Sequence, residues 1–169
     1  ILYLGRITVD KGVYLLLDCF KRLLSTPKTY LLYAGIGPEL RNLKKEASRA
    51  AWEGRVKILG YVKESHKASL ISQSDLVVLP SRGDTFGLSL AEGMALGKVV
   101  IASNKGGLKG WVEDGFNGLV FDYDRKGDLL EKLQYALNTE LSEMAKRASS
   151  WALSTLDISA SAKRYAEIY

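Results

Sequence analysis

Short apolar runs alternate with longer amphipathic stretches along this chain. Residues 1–4 read as a first strand. Val13, Leu16, Leu17, Phe20, Leu23 and Leu24 then recur at helical spacing, which predicts a helix over 12–25 with one apolar face, stopped by Pro27. The cycle repeats. Strands are predicted at 30–34, 55–59, 76–79, 98–102 and 119–121. Between them fall a helix marked by Leu40, Leu43, Ala47 and Ala50, helices at 64–73 and 86–96, and a short one around 107–113. Turn signals at Asp114-Gly115 and Asn117-Gly118 precede the sixth strand. After it the strands stop. Leu129, Leu130, Leu133 and Leu137 mark one helix, and Leu141, Met144, Ala148 and Trp151 a second. Ile158, Ala162, Tyr165 and Tyr169 mark a last one. Strands that alternate with helices predict the α/β class, a doubly wound parallel sheet of Rossmann-like type forming a single domain.

Composition narrows the chemistry mainly by exclusion. At 169 residues the chain is the size of one domain. Its apolar runs are four or five residues long, whereas a membrane-spanning helix needs about 20. One cysteine and one histidine exclude an internal disulfide framework and a zinc cage, and leave any Ser-His-Asp triad resting on His66. The net charge is +5. Most of the excess is assigned to solvated helix faces, as at Arg41, Lys44, Lys45 and Arg49. The first residues, Ile1-Leu2-Tyr3-Leu4-Gly5, read as strand interior, so the chain is expected to be a piece of a longer protein.

The glycines point to one edge of the sheet. Gly5, Gly35, Gly37, Gly60, Gly83, Gly87, Gly106 and Gly107 each fall just past the carboxyl end of a predicted strand, where open α/β sheets bind ligands. The plainer reading is that loops collect glycine. Arg6 and Lys11 flank the first of these loops, at a helix N-terminus that already favours anions, and an Arg–Lys pair there suits a diphosphate. Gly35-Ile36-Gly37-Pro38 lacks the third glycine of a dinucleotide fingerprint and follows the wrong strand, so it reads as a turn starting a helix with Pro38 in first position.

The richest stretch runs from Pro80 to Gly97. Asp84 falls in the loop after the fourth strand and Glu92 two turns into the following helix, roughly 12 Å away. That is too far for a glycosidase pair, which needs about 5–9.5 Å, but suits an elongated ligand with hydroxyls at its ends and phosphates between. Free N–H groups near Phe86–Leu88 would face those phosphates. Ala91, Gly93, Met94 and Ala95 make the helix small and apolar, so the Glu92 carboxylate needs a partner.

Taken in order, Gly5-Arg6…Lys11-Gly12, Gly35-Ile36-Gly37-Pro38, Leu59-Gly60-Tyr61-Val62, Asp84…Glu92 and the Gly93–Gly107 stretch resemble the C-terminal, donor-binding half of retaining GT-B glycosyltransferases. The resemblance lies with the group that holds mannosyl- and glucosyltransferases and glycogen and sucrose synthases, and it covers residues 1 to about 140. The block around Asp84 and Glu92 is similar to that family's E-x7-E motif. It departs at Asp84 in place of Glu, Gly93 in place of Ala and Lys98 in place of Pro. The resemblance implies a nucleotide-sugar-binding domain over 1–169, with its core at about 1–140 and C-terminal helices at about 140–169, and an N-terminal acceptor domain absent from this chain. It implies Arg6, Lys11 and Asp84 as catalytic side chains: the two cations clamp the donor diphosphate and Asp84 holds hydroxyls of the sugar. Gly5, Gly35 and Gly37, the Tyr61-Val62 loop (for the base), Phe86, Gly87 and Leu88 (through backbone N–H groups) and Glu92 (for the ribose hydroxyls) complete the donor site. It implies no metal and no cofactor beyond a UDP-, GDP- or ADP-hexose substrate, a glycan or lipid acceptor held by the other domain, and a cytoplasmic enzyme, peripheral at the inner face of the membrane when intact.

Other readings stay open at this point. The same pocket serves a non-catalytic nucleotide- or anion-binding regulatory module, half of a nucleotide-sugar epimerase, or, through charge alone, a nucleic-acid binder, of which the last is disfavoured. Asp122-Tyr123-Asp124 matches a D-x-D metal motif but reads as turns before a helix. His66 reads as a boundary-packing histidine and Cys19 as an inert core thiol. Trp52, Trp111 and Trp151 are scattered in the sequence and predict no stacking platform for nucleic acid. An apolar face on the last helix, with Tyr165 and Tyr169, predicts self-association of the piece.

Overall fold

Six apolar runs become one parallel sheet in the computed structural model, which describes residues 1–23, 28–48 and 54–156. The strands are β1 (Leu2–Leu4), β2 (Leu31–Ala34), β3 (Val56–Gly60), β4 (Leu76–Leu79), β5 (Val99–Ser103) and β6 (Leu119–Phe121). Between and after them lie α1 (Val13–Arg22), α2 (Leu40–Ala47), α3 (Glu64–Ser72), α4 (Leu88–Ala95), α5 (Asp128–Asn138) and α6 (Ser142–Thr155), with a 3-10 turn at Gly106–Gly110. The strand order is β3-β2-β1-β4-β5-β6 and every pairing is parallel. The expected doubly wound α/β architecture is therefore present.

The central strands are apolar throughout because both faces are covered. β1, β4 and β5 are buried at every position. β3, at an edge of the sheet, alternates instead. Against the sheet α1 turns Val13, Leu16, Leu17, Cys19 and Phe20 inward, as its spacing predicts. Lys21 and Arg22 fall in its last turn, where the helix dipole favours cations. α1 packs beside α5, and α4 lies against α3, α6 and the two strands β4 and β5. Arg41, Lys44 and Lys45 are exposed on α2, the solvated face assigned to them.

Several boundaries move for local reasons. α4 starts at Leu88, not at 86, because Phe86 and Gly87 belong to a turn closed by the Asp84 carboxylate. Glu92 is thus the fifth residue of the helix, not two turns in. α2 starts at Leu40 with Glu39 at its cap, so Pro38 lies before the helix and not at its first position. The turn before β6 forms as expected. Buried Asn117 accepts from the Glu113 N–H at 2.7 Å and donates to the Trp111 carbonyl at 3.0 Å. The expectations resting on Leu24, Pro27, Arg49, Ala50, Trp52 and the last helix with Ile158, Ala162, Tyr165 and Tyr169 lie outside the described residues. Among the described residues no helix is long and apolar enough to cross a membrane.

Candidate functional site

The strand order reverses direction between β1 and β4, and the loops leaving their carboxyl ends part there to open a crevice. A cleft of about 430 Å³ occupies that place. Gly5, Arg6 and Lys11 reach it from the loop after β1, and Gly35 from the loop after β2. Tyr61 and Val62 come from the loop after β3. Asp84, Gly87, Leu88 and Glu92 come from the segment after β4. Ten of the sequence-predicted positions thus converge on one cleft. Gly37 and Phe86 do not line it.

Lys11 and Asp84 meet at the centre. The Lys11 ammonium lies 2.7 Å from Asp84 Oδ2 and 3.1 Å from the Gly83 carbonyl, and Lys11 is only 8% exposed. The other carboxylate oxygen, Oδ1, accepts the Gly87 N–H at 2.9 Å and the Phe86 N–H at 3.3 Å. Burial works against the charge on Asp84. The Lys11 hydrogen bond, the Gly87 and Phe86 N–H groups and the Lys11 charge outweigh it, and the carboxyl is held below its usual range. This corrects one expectation. The Phe86 and Gly87 N–H groups are not free to face a phosphate, because Asp84 already occupies them. Asp84 organises the Lys11 side chain and the turn before α4, and its Oδ2, with one partner, keeps a lone pair on the cleft side. Leu88 and Ser89, at the start of α4, retain N–H groups that point to the cleft end of the helix dipole.

The loops carrying these groups lie on one another more closely than side chains permit. A Cβ on Gly12 would meet the Pro80 carbonyl oxygen at 2.0 Å, one on Gly35 the Gly5 oxygen at 1.8 Å, and one on Gly107 the Thr85 oxygen at 1.8 Å. Gly37 is used in the same way, against the Ile7 oxygen at 2.3 Å. The Gly107 N–H also donates to the Asp84 carbonyl at 2.7 Å. Much of the glycine cluster therefore serves loop-on-loop packing at the sheet edge, not direct approach to a ligand. Beneath the first loop the buried Tyr3 hydroxyl donates to the Arg6 carbonyl at 2.5 Å, and the Tyr3 ring packs on Tyr33 at 5.4 Å between centroids. Arg6 is exposed at the cleft mouth, with its backbone anchored from below.

The far end of the cleft is looser. Tyr61 is 71% exposed. The Glu92 carboxylate has an ionic partner, Lys67 on α3, with Nζ 3.8 Å from Oε1. Burial pushes Glu92 up, the Lys67 charge pulls it down and the Glu64 charge pushes it up again, and its pKa is raised overall. The sequence reading asked for a partner for Glu92 and did not find Lys67, because no apolar periodicity fixes the faces of α3. The available signal was the i,i+3 spacing of Glu64 and Lys67, whose charges lie 2.7 Å apart.

The remaining candidates resolve into structure. Asp122 accepts from the Asn104 side chain at 2.8 Å and from the Asp124 N–H at 3.1 Å, while Asp124 pairs with Lys105. These are turns, and among the described residues no three His, Cys, Asp or Glu side chains group as metal ligands. His66 is exposed, not packed at a boundary. Cys19 is buried, and burial first, then the Asp18 charge, raises its thiol to about 11. Two of the tryptophans, distant in the sequence, meet in the fold. Trp111 stacks on Trp151 at 5.6 Å and an interplanar angle of 4°, and Phe86 stacks on Trp111 at 5.3 Å. The ring of Phe86 therefore joins a column that ties the Asp84 turn to α6, while its backbone serves the turn.

Comparison with known proteins identifies the fold and the family. The family model for "Glycosyl transferases group 1" matches residues 1–152. The alpha-D-kanosaminyltransferase of Streptomyces kanamyceticus is 30% identical over 172 residues, which is all of this chain and 45% of that protein. The crystal structure of Anabaena Alr3699/HepE in complex with UDP and glucose superposes with a TM-score of 0.88 at 24% identity, over 99% of this chain and 47% of the other. The C-terminal domain of a group 1 glycosyl transferase from Francisella tularensis, crystallised by itself, superposes at 0.82 with 22% identity, over 93% of this chain and 85% of that domain. The chain thus spans less than half the length of the first two and most of the third.

Proposed function

This chain belongs to the group 1 glycosyl transferases, and from that premise we propose that it is the donor-binding domain of a retaining enzyme that moves a hexose from a nucleoside diphosphate to a hydroxyl acceptor. The observation that carries the proposal is the meeting of Lys11, Asp84 and the N-terminus of α4 at the strand-order reversal. A ligand seated there has its diphosphate between Arg6, Lys11 and the first N–H groups of α4. Its ribose lies toward Glu92 and its base beside Tyr61 and Val62. Charge that develops on the departing diphosphate is met by the fixed Lys11 ammonium, the Arg6 guanidinium at the cleft mouth and a helix dipole, so no metal is called for. In comparable sites one preorganised donor to a developing anion is worth about 3–4 kcal/mol.

In this reading Asp84 keeps the Lys11 ammonium pointed into the cleft and limits its reach. The diphosphate competes with the carboxylate for the same ammonium, which favours release of the nucleoside diphosphate once the sugar has left. The acceptor, a glycan or lipid hydroxyl, is held by the domain that the longer relatives possess. By itself this chain binds donor and transfers nothing.

Calorimetric titration of the chain with UDP, GDP, ADP and dTDP, each with and without its hexose, tests this. UDP and UDP-glucose come first, because the Anabaena protein of the same fold was crystallised with UDP and glucose. Saturable binding of at least one of them, weakened in Glu92→Ala, is expected. No binding by any, or sugar transfer by this chain alone, would overturn it.

A further inference from the structure

We propose that Lys67 is a positioning residue that makes this cleft select ribonucleotides over 2′-deoxyribonucleotides, acting through Glu92. The proposal rests on the donor-site reading above and adds to it the part of the ligand that Lys67 discriminates.

α3 packs against α4 and lays the Lys67 side chain along the wall of the cleft, where it is about one-quarter exposed. Its ammonium bridges two carboxylates. Glu64, at the solvent side, holds it at 2.7 Å, and Glu92, on the cleft side, lies at 3.8 Å. The two distances mean different things. The outer contact is a charge-assisted hydrogen bond that fixes the ammonium in place. The inner contact is longer and acts on Glu92 mainly through charge, with a weaker hydrogen-bonding share. Lys67 therefore favours the ionised form of Glu92 while holding its carboxylate only loosely.

An ionised carboxylate is acceptor-only at both oxygens and takes the two hydroxyls of a ribose cis-diol together. A protonated carboxyl has lost that symmetry, and a 2′-deoxyribose offers one hydroxyl instead of two. The discrimination thus depends on Glu92 being charged and on its lone pairs being free. Two influences work against the charge: burial beside Ala91, Gly93 and Met94, and the Glu64 carboxylate. Lys67 is the positive group that acts on Glu92 in return, and Tyr61 lies near the same ammonium. The strands beneath this part of α4 present Val77 and Val100, which contribute no charge.

The test is titration of the chain with whichever of UDP-, GDP- and ADP-glucose binds most tightly, and with its 2′-deoxyribose analogue. The chains compared are wild type, Lys67→Met and Lys67→Arg, each with its unfolding midpoint recorded. Lys67→Gln replaces the methionine variant if that one folds poorly. Wild type is expected to prefer the ribose form by about tenfold, and Lys67→Met by less than about threefold, with Lys67→Arg restoring most of the preference. Ribose-form affinity in Lys67→Met should also fall at a higher pH than in wild type as the solution is acidified, because Glu92 without Lys67 takes up a proton sooner. A nucleoside diphosphate sugar carries no titrating terminal phosphate, so the ligand does not confuse that profile. Equal losses for both ligands, or an unchanged tenfold preference in Lys67→Met, would overturn the role of Lys67 and leave the donor site standing. Failure of wild type to bind any of the three would overturn the donor site and this proposal with it.

Discussion

The two ends of the cleft are built differently. At the end proposed for the diphosphate Lys11 and Asp84 are both mostly buried, bonded at 2.7 Å, and boxed in by loops that only glycines allow to touch. At the end proposed for the nucleoside the Lys67–Glu92 pair stands 3.8 Å apart beside an open Tyr61. The first arrangement is finished before a ligand arrives. The second leaves the Glu92 carboxylate loosely held. A diphosphate is common to every donor of this type and repays a rigid clamp. The nucleoside varies, and its end of the cleft is made from side chains on separate elements that adjust more cheaply.

The sharpest way to break this comparison is at the rigid end. Lys11→Met removes the cation and strands a carboxylate that is largely out of water. Affinity for a nucleoside diphosphate is expected to fall about 100-fold, with a stability loss of about 2–3 kcal/mol, read by calorimetry and by urea unfolding. A loss below about fivefold would show that the buried pair does not face the ligand.

Gly35→Ala comes next. Its Cβ would lie 1.8 Å from the Gly5 carbonyl oxygen, at a φ of +148°. Backbone must move, and a destabilisation of about 2–4 kcal/mol is expected, carried into weaker binding because the Gly5 loop it displaces also bears Arg6. Wild-type stability in this variant would show that the loops are not as tightly stacked as described.

Glu92→Gln probes the looser end. Burial raises the Glu92 pKa, so above both its folded and unfolded values the ionised group costs the fold stability, and that cost fades as pH falls through the folded value. The amide should therefore raise the unfolding midpoint at neutral pH while reducing nucleotide affinity about tenfold. A lowered midpoint would mean that the Lys67 pairing outweighs burial.

The smallest effect is a contrast in acid. The Asp84 carboxyl is held below its usual value, so its contribution is complete above its unfolded pKa of about 4 and is lost as pH falls through the folded one. Asp84→Asn should flatten stability against pH in that acid window, while Glu92→Gln should flatten it at higher pH. If both variants flatten the same window, the two ends do not differ electrostatically.

The legible part of the site was the set of groups that local sequence alone fixes. Strand–loop–helix alternation puts Arg6, Lys11, Asp84 and Glu92 at one edge of the sheet. The pairings at that edge were not legible. Lys11 and Asp84 are 73 positions apart, and Lys67 and Glu92 sit on different helices. Trp111 and Trp151 looked scattered because their stacked rings come from distant parts of the chain. The glycine positions past the strand ends are a sequence fact, and the use of several of them in packing loop on loop is set by which loops the sheet order makes neighbours.

Hydrophobic periodicity is a property of consecutive residues, so the sequence by itself determined the element types, the parallel sheet and the family to which the motifs belong. Which charge faces which is a property of strand order and helix packing. Only the tertiary structure decided that Asp84 is bound tightly by Lys11 and a turn, while Glu92 is held loosely by Lys67. The physical reason is distance. At 2.7 Å the Asp84 oxygen is hydrogen-bonded to its partner, whereas at 3.8 Å Lys67 acts on the Glu92 carboxylate mainly through its charge.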